Sequence, residues 1–98
     1  MYARVTSAEI YKDKIDQFVD IYKEYVVPAA KKQKGFKGIH LLVDRKTGSG
    51  MSITYWETEK DARANEESLY YQEQVARFIS FFARDPIREG YEVPVHEK

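Results

Sequence analysis

The chain has no cysteine among its 98 residues. Disulfides, thiolate nucleophiles and zinc–thiolate centres are therefore excluded. It also has no excess of either charge, because 16 Lys and Arg stand against 16 Asp and Glu, with only 2 His. Such a balance projects no field that would gather nucleic acid or an anionic membrane. No apolar run approaches the ~18 residues a membrane span needs. The opening Met1-Tyr2-Ala3-Arg4-Val5 has no secretory h-region. A cytoplasmic protein with no membrane partner is expected. Glycine numbers 5 and proline 3, and no phosphate-cradling loop, nucleophile elbow or HExxH pattern occurs.

What is present is an ordinary globular balance, 43% hydrophobic and 33% charged, with a high aromatic share of 14%. The length fits one domain, residues 1–98. A chain this short hides only about 60–65% of its unfolded surface, so it is marginal as a monomer.

Periodicity sets the element order. Tyr2 to Ser7 alternate as a first strand. From Lys12 to Gln33, Ile15, Phe18, Val19, Tyr22, Val26 and Ala29 recur at three and four, giving one buried helical stripe. Pro28 should kink that helix or break off its last turns. Gly35 is the expected stop. Phe36 to Asp44 reads as a second strand and Met51 to Glu57 as a third, joined by a turn at 46–50. Thr58 and Ser68 are positioned to cap two helices, the first ending near Asn65 and the second near Ala83. Ile87 to Val95 alternates as a last strand, and Pro94 places it at a sheet edge. Strand, helix, strand, strand, helix, strand is the ferredoxin-like βαββαβ order, an α+β fold with an antiparallel sheet and both helices on one face.

The hairpin register decides which residues meet. A three-residue loop at Thr47-Gly48-Ser49 pairs Val43 with Ile53 and His40 with Trp56. It gathers His40, Leu42, Ser52, Thr54 and Trp56 on one face and Ile39, Leu41, Val43, Met51, Ile53 and Tyr55 on the other. A two-residue loop mixes the chemistries, so the first register is expected. Both faces then carry large apolar groups, and two helices cover one of them. A second copy packing on the other, a homodimer, is the simplest remedy.

His40 sits mid-strand with Thr54 and Trp56, where an imidazole serves either as a general base or as a satisfied buried group. Trp56 offers a flat apolar wall for an aromatic ligand, or a core tryptophan. Ser52 and Thr54 are hydroxyl donors beside it. Of Tyr70 and Tyr71, one faces the core and the other presents its phenol to the cavity; Tyr71 is placed at the rim. Arg4 either neutralises an anionic ligand or pairs with a carboxylate. His96 sits in a polar tail. The basic run 31–37 holds one aromatic, too few for a nucleic-acid platform. The acids from Glu57 to Glu67 read as a solvated helix face. His40 and Asp44 share a face but are too far apart for a compact metal site, so no metal is expected.

Tyr2-Ala3-Arg4-Val5, the segment from Val27-Pro28-Ala29-Ala30 to Lys34-Gly35-Phe36, and Ile53-Thr54-Tyr55-Trp56-Glu57-Thr58 before a helix resemble the antibiotic biosynthesis monooxygenase family over nearly the whole chain. The resemblance implies a dimeric α+β barrel. It also implies oxidation of a small aromatic or quinone-type molecule with no metal or flavin, so no cofactor, with Trp56 as the pocket tryptophan. His40 is the candidate base from its place on the strand, apart from the resemblance. Where the phenol-oxidising pattern has an asparagine four before the tryptophan, this chain has Ser52; its later tyrosine is Ala62 here. The haem-degrading pattern of a first-strand asparagine and a last-helix histidine is absent, which weighs against haem degradation. The alternative is a non-catalytic dimeric ligand-binding or stress-related module of the same fold.

Overall fold

A computed structural model describes residues 1–97, and the side chains of all of these but Leu69 and Tyr70. The sequence-level reading of Tyr70 thus lies outside the described residues. Strands β1 (Tyr2–Glu9), β2 (Phe36–Val43), β3 (Ser49–Trp56) and β4 (Ile87–Glu92) form one antiparallel sheet in the order β2-β3-β1-β4. Helices α1 (Ile15–Ile21) and α2 (Val27–Lys31) follow β1; α3 (Glu59–Glu66) and α4 (Leu69–Phe78) follow β3. This is the ferredoxin-like α+β arrangement that the element order anticipates. β4 is an edge strand as expected, but it ends at Glu92, so Pro94 follows the strand and does not sit within it.

The first helical stretch does not break at Pro28. Between α1 and α2 the chain widens into a π turn at Tyr22–Val26, and the Val27 N–H reaches the Tyr22 carbonyl five residues back. Pro28 cannot donate, and its ring would crowd a carbonyl in a regular α-turn. One wide turn relieves both problems while the chain keeps its direction. The two caps form as expected. The Thr58 hydroxyl accepts from the Asp61 N–H at 3.1 Å, and the Ser68 hydroxyl accepts from the Tyr71 N–H at 3.3 Å. α4 ends at Phe78 and gives way to a 3-10 turn at Ile79–Phe81, earlier than Ala83.

The hairpin register differs from both expected alternatives. Val43 pairs with Gly50, Leu41 with Ser52 and Ile39 with Thr54, with an irregularity between Phe36 and Gly38. The turn is longer than expected: the Asp44 N–H bonds the Ser49 carbonyl at 2.8 Å, and the Gly48 N–H closes back on Asp44 at 2.8 Å. The Asp44 carboxylate accepts from the Lys46 N–H at 2.9 Å, stabilising the wider loop. Gly48 adopts a positive φ of 85°, and a Cβ there would lie 2.4 Å from the Ile10 carbonyl oxygen. Only glycine fits that close crossing.

This shift exchanges the faces of β2. Ile39, Leu41 and Val43 now lie with Ser52, Thr54 and Trp56 beneath the helices, where they pack on the core. His40 and Leu42 lie on the opposite face with Met51, Ile53 and Tyr55. The core is aromatic. Phe18 stacks with Tyr22 at 6.1 Å and lies 4.6 Å from Phe78, with Phe81 edge-on at 6.1 Å. Outside it, the Arg77 guanidinium lies 4.3 Å above the Tyr25 ring and ties α4 to the π turn.

Candidate functional site

Between the helices and the covered face of the sheet lies a cavity of about 330 Å³. Its floor comes from alternate residues of β1 and β3: Arg4, Thr6 and Ala8, then Gly50, Ser52 and Thr54. These pair directly across the strands, Arg4 with Thr54, Thr6 with Ser52 and Ala8 with Gly50. Small or hydroxylated side chains on a covered face leave space that larger ones would fill. Phe18 and Tyr22 form one wall, and Tyr71, Gln74, Val75 and Phe78 of α4 form the other. Their spacing of three and four places them on one helical face.

Polar contacts run along this apolar chamber. The Arg4 guanidinium forms a two-pronged ion pair with the Glu66 carboxylate, with Nη2 to Oε2 at 2.8 Å and Nε on Oε1. The hydrogen bond with Glu66 raises the Arg4 pKa further above its ordinary value, and partial burial opposes it. Arg4 therefore has a carboxylate partner. The Tyr22 hydroxyl lies 2.6 Å from the Ser52 hydroxyl. Burial pushes the Tyr22 pKa up to about 12, and the Ser52 hydrogen bond works against that rise. Tyr22 is thus a neutral hydrogen-bonding phenol at physiological pH. At the mouth, Arg88 of β4 donates to the Tyr71 hydroxyl and places its guanidinium 5.3 Å from that ring's centre. Arg88 Nε also approaches Glu66 Oε2 at 3.9 Å.

Ser52, Thr54, Arg4 and Tyr71, expected as binding residues, all line this cavity. Trp56 does not. It is 1% exposed, stands edge-on to Phe36 at 5.9 Å, and donates its indole N–H to the Thr54 Oγ1 at 3.0 Å. It stays outside the cavity lining and holds Thr54, which is in the floor. The expected grouping of His40 with Trp56 is corrected as well. The wider hairpin turn puts His40 on the opposite face, exposed, edge-on to Tyr55 at 5.6 Å. The His96 ring lies 6.1 Å from the same Tyr55 ring, tilted against it. Among the described residues, no group of three or more His, Cys, Asp or Glu is placed to hold a metal ion.

Tyr22, Glu66, Gln74 and Arg88 line the cavity and were not singled out as site residues. Tyr22 was legible only as part of a buried stripe, and Glu66 only as one acid in a charged run. Gln74 carried a signal, since a polar residue stands among Tyr71, Val75 and Phe78 on the buried face of α4. Arg88 carried none, because its reach to Tyr71 depends on β4 returning beside β1.

The family model for antibiotic biosynthesis monooxygenases matches residues 1–77. The chain belongs to the antibiotic biosynthesis monooxygenase family. The match spans β1 to α4 and ends before Phe78 and Arg88, so part of the cavity comes from sequence beyond the matched region. Among curated proteins, the uncharacterised Mycobacterium tuberculosis protein Rv2557 is 32% identical over 69 residues, 70% of this chain. That match covers 31% of Rv2557, so the chain corresponds to about a third of its relative. Solved structures share the fold at low identity. A candidate antibiotic biosynthesis monooxygenase from Nitrosomonas europaea superposes with a TM-score of 0.83 at 18% identity, covering 97% of this chain and 100% of that one. A monooxygenase from the ActVA-Orf6 gene of Streptomyces coelicolor, solved with nanaomycin D bound, superposes with a TM-score of 0.80 at 12% identity, covering 99% and 90%. No helix of the described residues is long and apolar enough to cross a membrane.

Proposed function

We propose that this family member binds a small aromatic or quinone-type molecule in the cavity and oxidises it with O2, without metal or flavin. The observation that carries this reading is the chamber itself. Its volume of about 330 Å³ falls within the range of small-ligand sites, with aromatic walls and a few convergent polar groups. The Streptomyces structure supports the ligand class, because its bound molecule is nanaomycin D.

An electron-rich phenol needs no outside reductant for such a step. Its phenolate transfers electrons to O2, one oxygen atom joins a ring carbon as a carbonyl, and the other leaves as water with the displaced hydrogens. The substrate supplies all four electrons. The protein's share is to hold the ring between Phe18 and α4, exclude bulk water and supply hydrogen bonds from Thr54 and the Tyr22–Ser52 pair. Among the described lining residues Glu66 is the sole carboxylate, and Arg4 already holds it.

One observation favours a second reading, a ligand-binding module without turnover: His40, the expected base, lies outside the chamber. Aerobic incubation with a hydroquinone panel separates the two. Oxygenation requires one O2 consumed per hydroxyquinone formed in the wild type, with an oxygen atom from O2 retained in the product and no H2O2 released, and loss of turnover in Thr6→Phe, which fills the floor. Binding without O2 uptake supports the module, and no binding by any member ends both readings.

The protein also acts as a homodimer in this proposal. The face away from the helices carries Leu42 at 52%, Met51 at 36%, Ile87 at 62% and Tyr91 at 50% exposure. Val5, Ile53 and Tyr55 stand between them. A contiguous apolar face of that kind is rarely left to water by a monomer. A second copy covers it through a self-complementary two-fold contact.

A further inference from the structure

The cavity wall contains an acceptor with nothing to accept. Gln74 lines the chamber, and its Oε1 is buried with no hydrogen-bond partner, the one such side-chain atom found among the described residues. A buried acceptor is costly to leave unpaired, and native proteins rarely do so. Gln74 lies one turn beyond Tyr71 on α4, so the two side chains share a face roughly 5 Å apart along the axis. The charges lining the cavity are also uneven. Arg4 and Arg88 face a single carboxylate, Glu66, which leaves one positive charge. Arg4 and Glu66 saturate each other in the two-pronged pair, so the surplus belongs to Arg88 at the mouth.

We propose that the cavity selects an aromatic monoanion that carries a second, un-ionised hydroxyl. Arg88, steadied by Tyr71, faces the ionised oxygen. Gln74 turns its side chain into the chamber when the ligand enters, so that its Oε1 accepts the hydrogen of the neutral hydroxyl, and it is the specificity-determining residue. This deepens the ligand class proposed above and rests on that reading of the cavity. A dianion would exceed the single surplus charge, and a ligand lacking the second hydroxyl would leave Gln74 unpaired inside the complex.

The test is calorimetric binding of 2-hydroxy-1,4-naphthoquinone, an anion at mildly acidic pH, together with its 6-hydroxy and 7-hydroxy derivatives and their methyl ethers. Neutral 1,4-naphthoquinone is the charge control. The wild type should bind at least one hydroxy derivative about tenfold tighter than its methyl ether. Gln74→Leu and the length-matched Gln74→Met should both erase that preference, the hydroxy derivative losing more affinity than its methyl ether or the parent anion. Their Tm should be unchanged or raised, since each removes an unpaired buried acceptor. Arg88→Met should weaken the anion and spare the neutral quinone. A hydroxyl preference that is missing in the wild type, or that survives both Gln74 substitutions, overturns the inference even when the parent anion binds. Failure of every probe to bind the wild type overturns the inference and the cavity reading together.

Discussion

The two faces of the sheet have similar apolar content and opposite fates. Beneath the helices, Ile39, Leu41 and Val43 pack against Phe18, Tyr22 and Phe78, and hydroxyls from Thr6, Ser52 and Thr54 leave a chamber among them. On the other face, Leu42, Met51, Ile87 and Tyr91 stay largely open to solvent. The same strands build both, because alternate side chains point to opposite sides. Hydrophobic residues therefore do not mark the inside of this subunit. Where the helices fall decides which surplus becomes a core and which stays exposed.

That contrast can be broken from the covered side first. Phe18→Ala removes the ring at the centre of the aromatic cluster and should cost about 3–5 kcal/mol, read as a drop in the denaturation midpoint at unchanged slope. A loss under 1 kcal/mol would mean that the cluster is not the centre of the core. From the open side, Ile53→Lys places an ammonium between Val5 and His40. It should leave the fold intact and raise the dimer dissociation constant by about 100-fold, equivalent to about 3 kcal/mol. Sedimentation that shows the wild type as a monomer at micromolar concentration would remove the interface altogether.

A smaller effect separates the faces by pH. Tyr22 is pushed up to about 12 in the fold, against an unfolded value near 10. Its ionisation is penalised only in the folded state, so stability is level below pH ~10 and falls as pH rises from ~10 to ~12, by about 2 kcal/mol. Tyr22→Phe should flatten that alkaline fall. Tyr55→Phe, on the open face, should leave it in place. Equal slopes in both variants would show that burial beside Ser52 is not its cause.

Most of the architecture was legible. The helical stripe from Ile15 to Val26 and the Thr58 and Ser68 caps follow from local chemistry, and each appears in the structure. The last strand is at the edge, but Pro94, the reason for expecting it there, follows the strand. The site was half legible. Arg4, Ser52, Thr54 and Tyr71 line the chamber because β1, β3 and α4 have clear periods. His40 was misplaced because its face depends on hairpin length, and Asp44 stretches that turn by capping it with its own side chain. With a side-chain period of two, a shift of one residue sends an entire strand's pattern to the other side. Trp56 was read as a wall because its type suggests one, and its position outside the cavity lining depends on Phe36 reaching its edge.

By itself the sequence determined the order of elements, the family and the two-sided greasiness of the strands, because these rest on short-range spacing and residue type. Only the tertiary structure decided the register of β2, the Arg4–Glu66 pair across 62 positions and the unpaired oxygen of Gln74. Those features depend on distances between segments far apart in the chain, which no local pattern encodes.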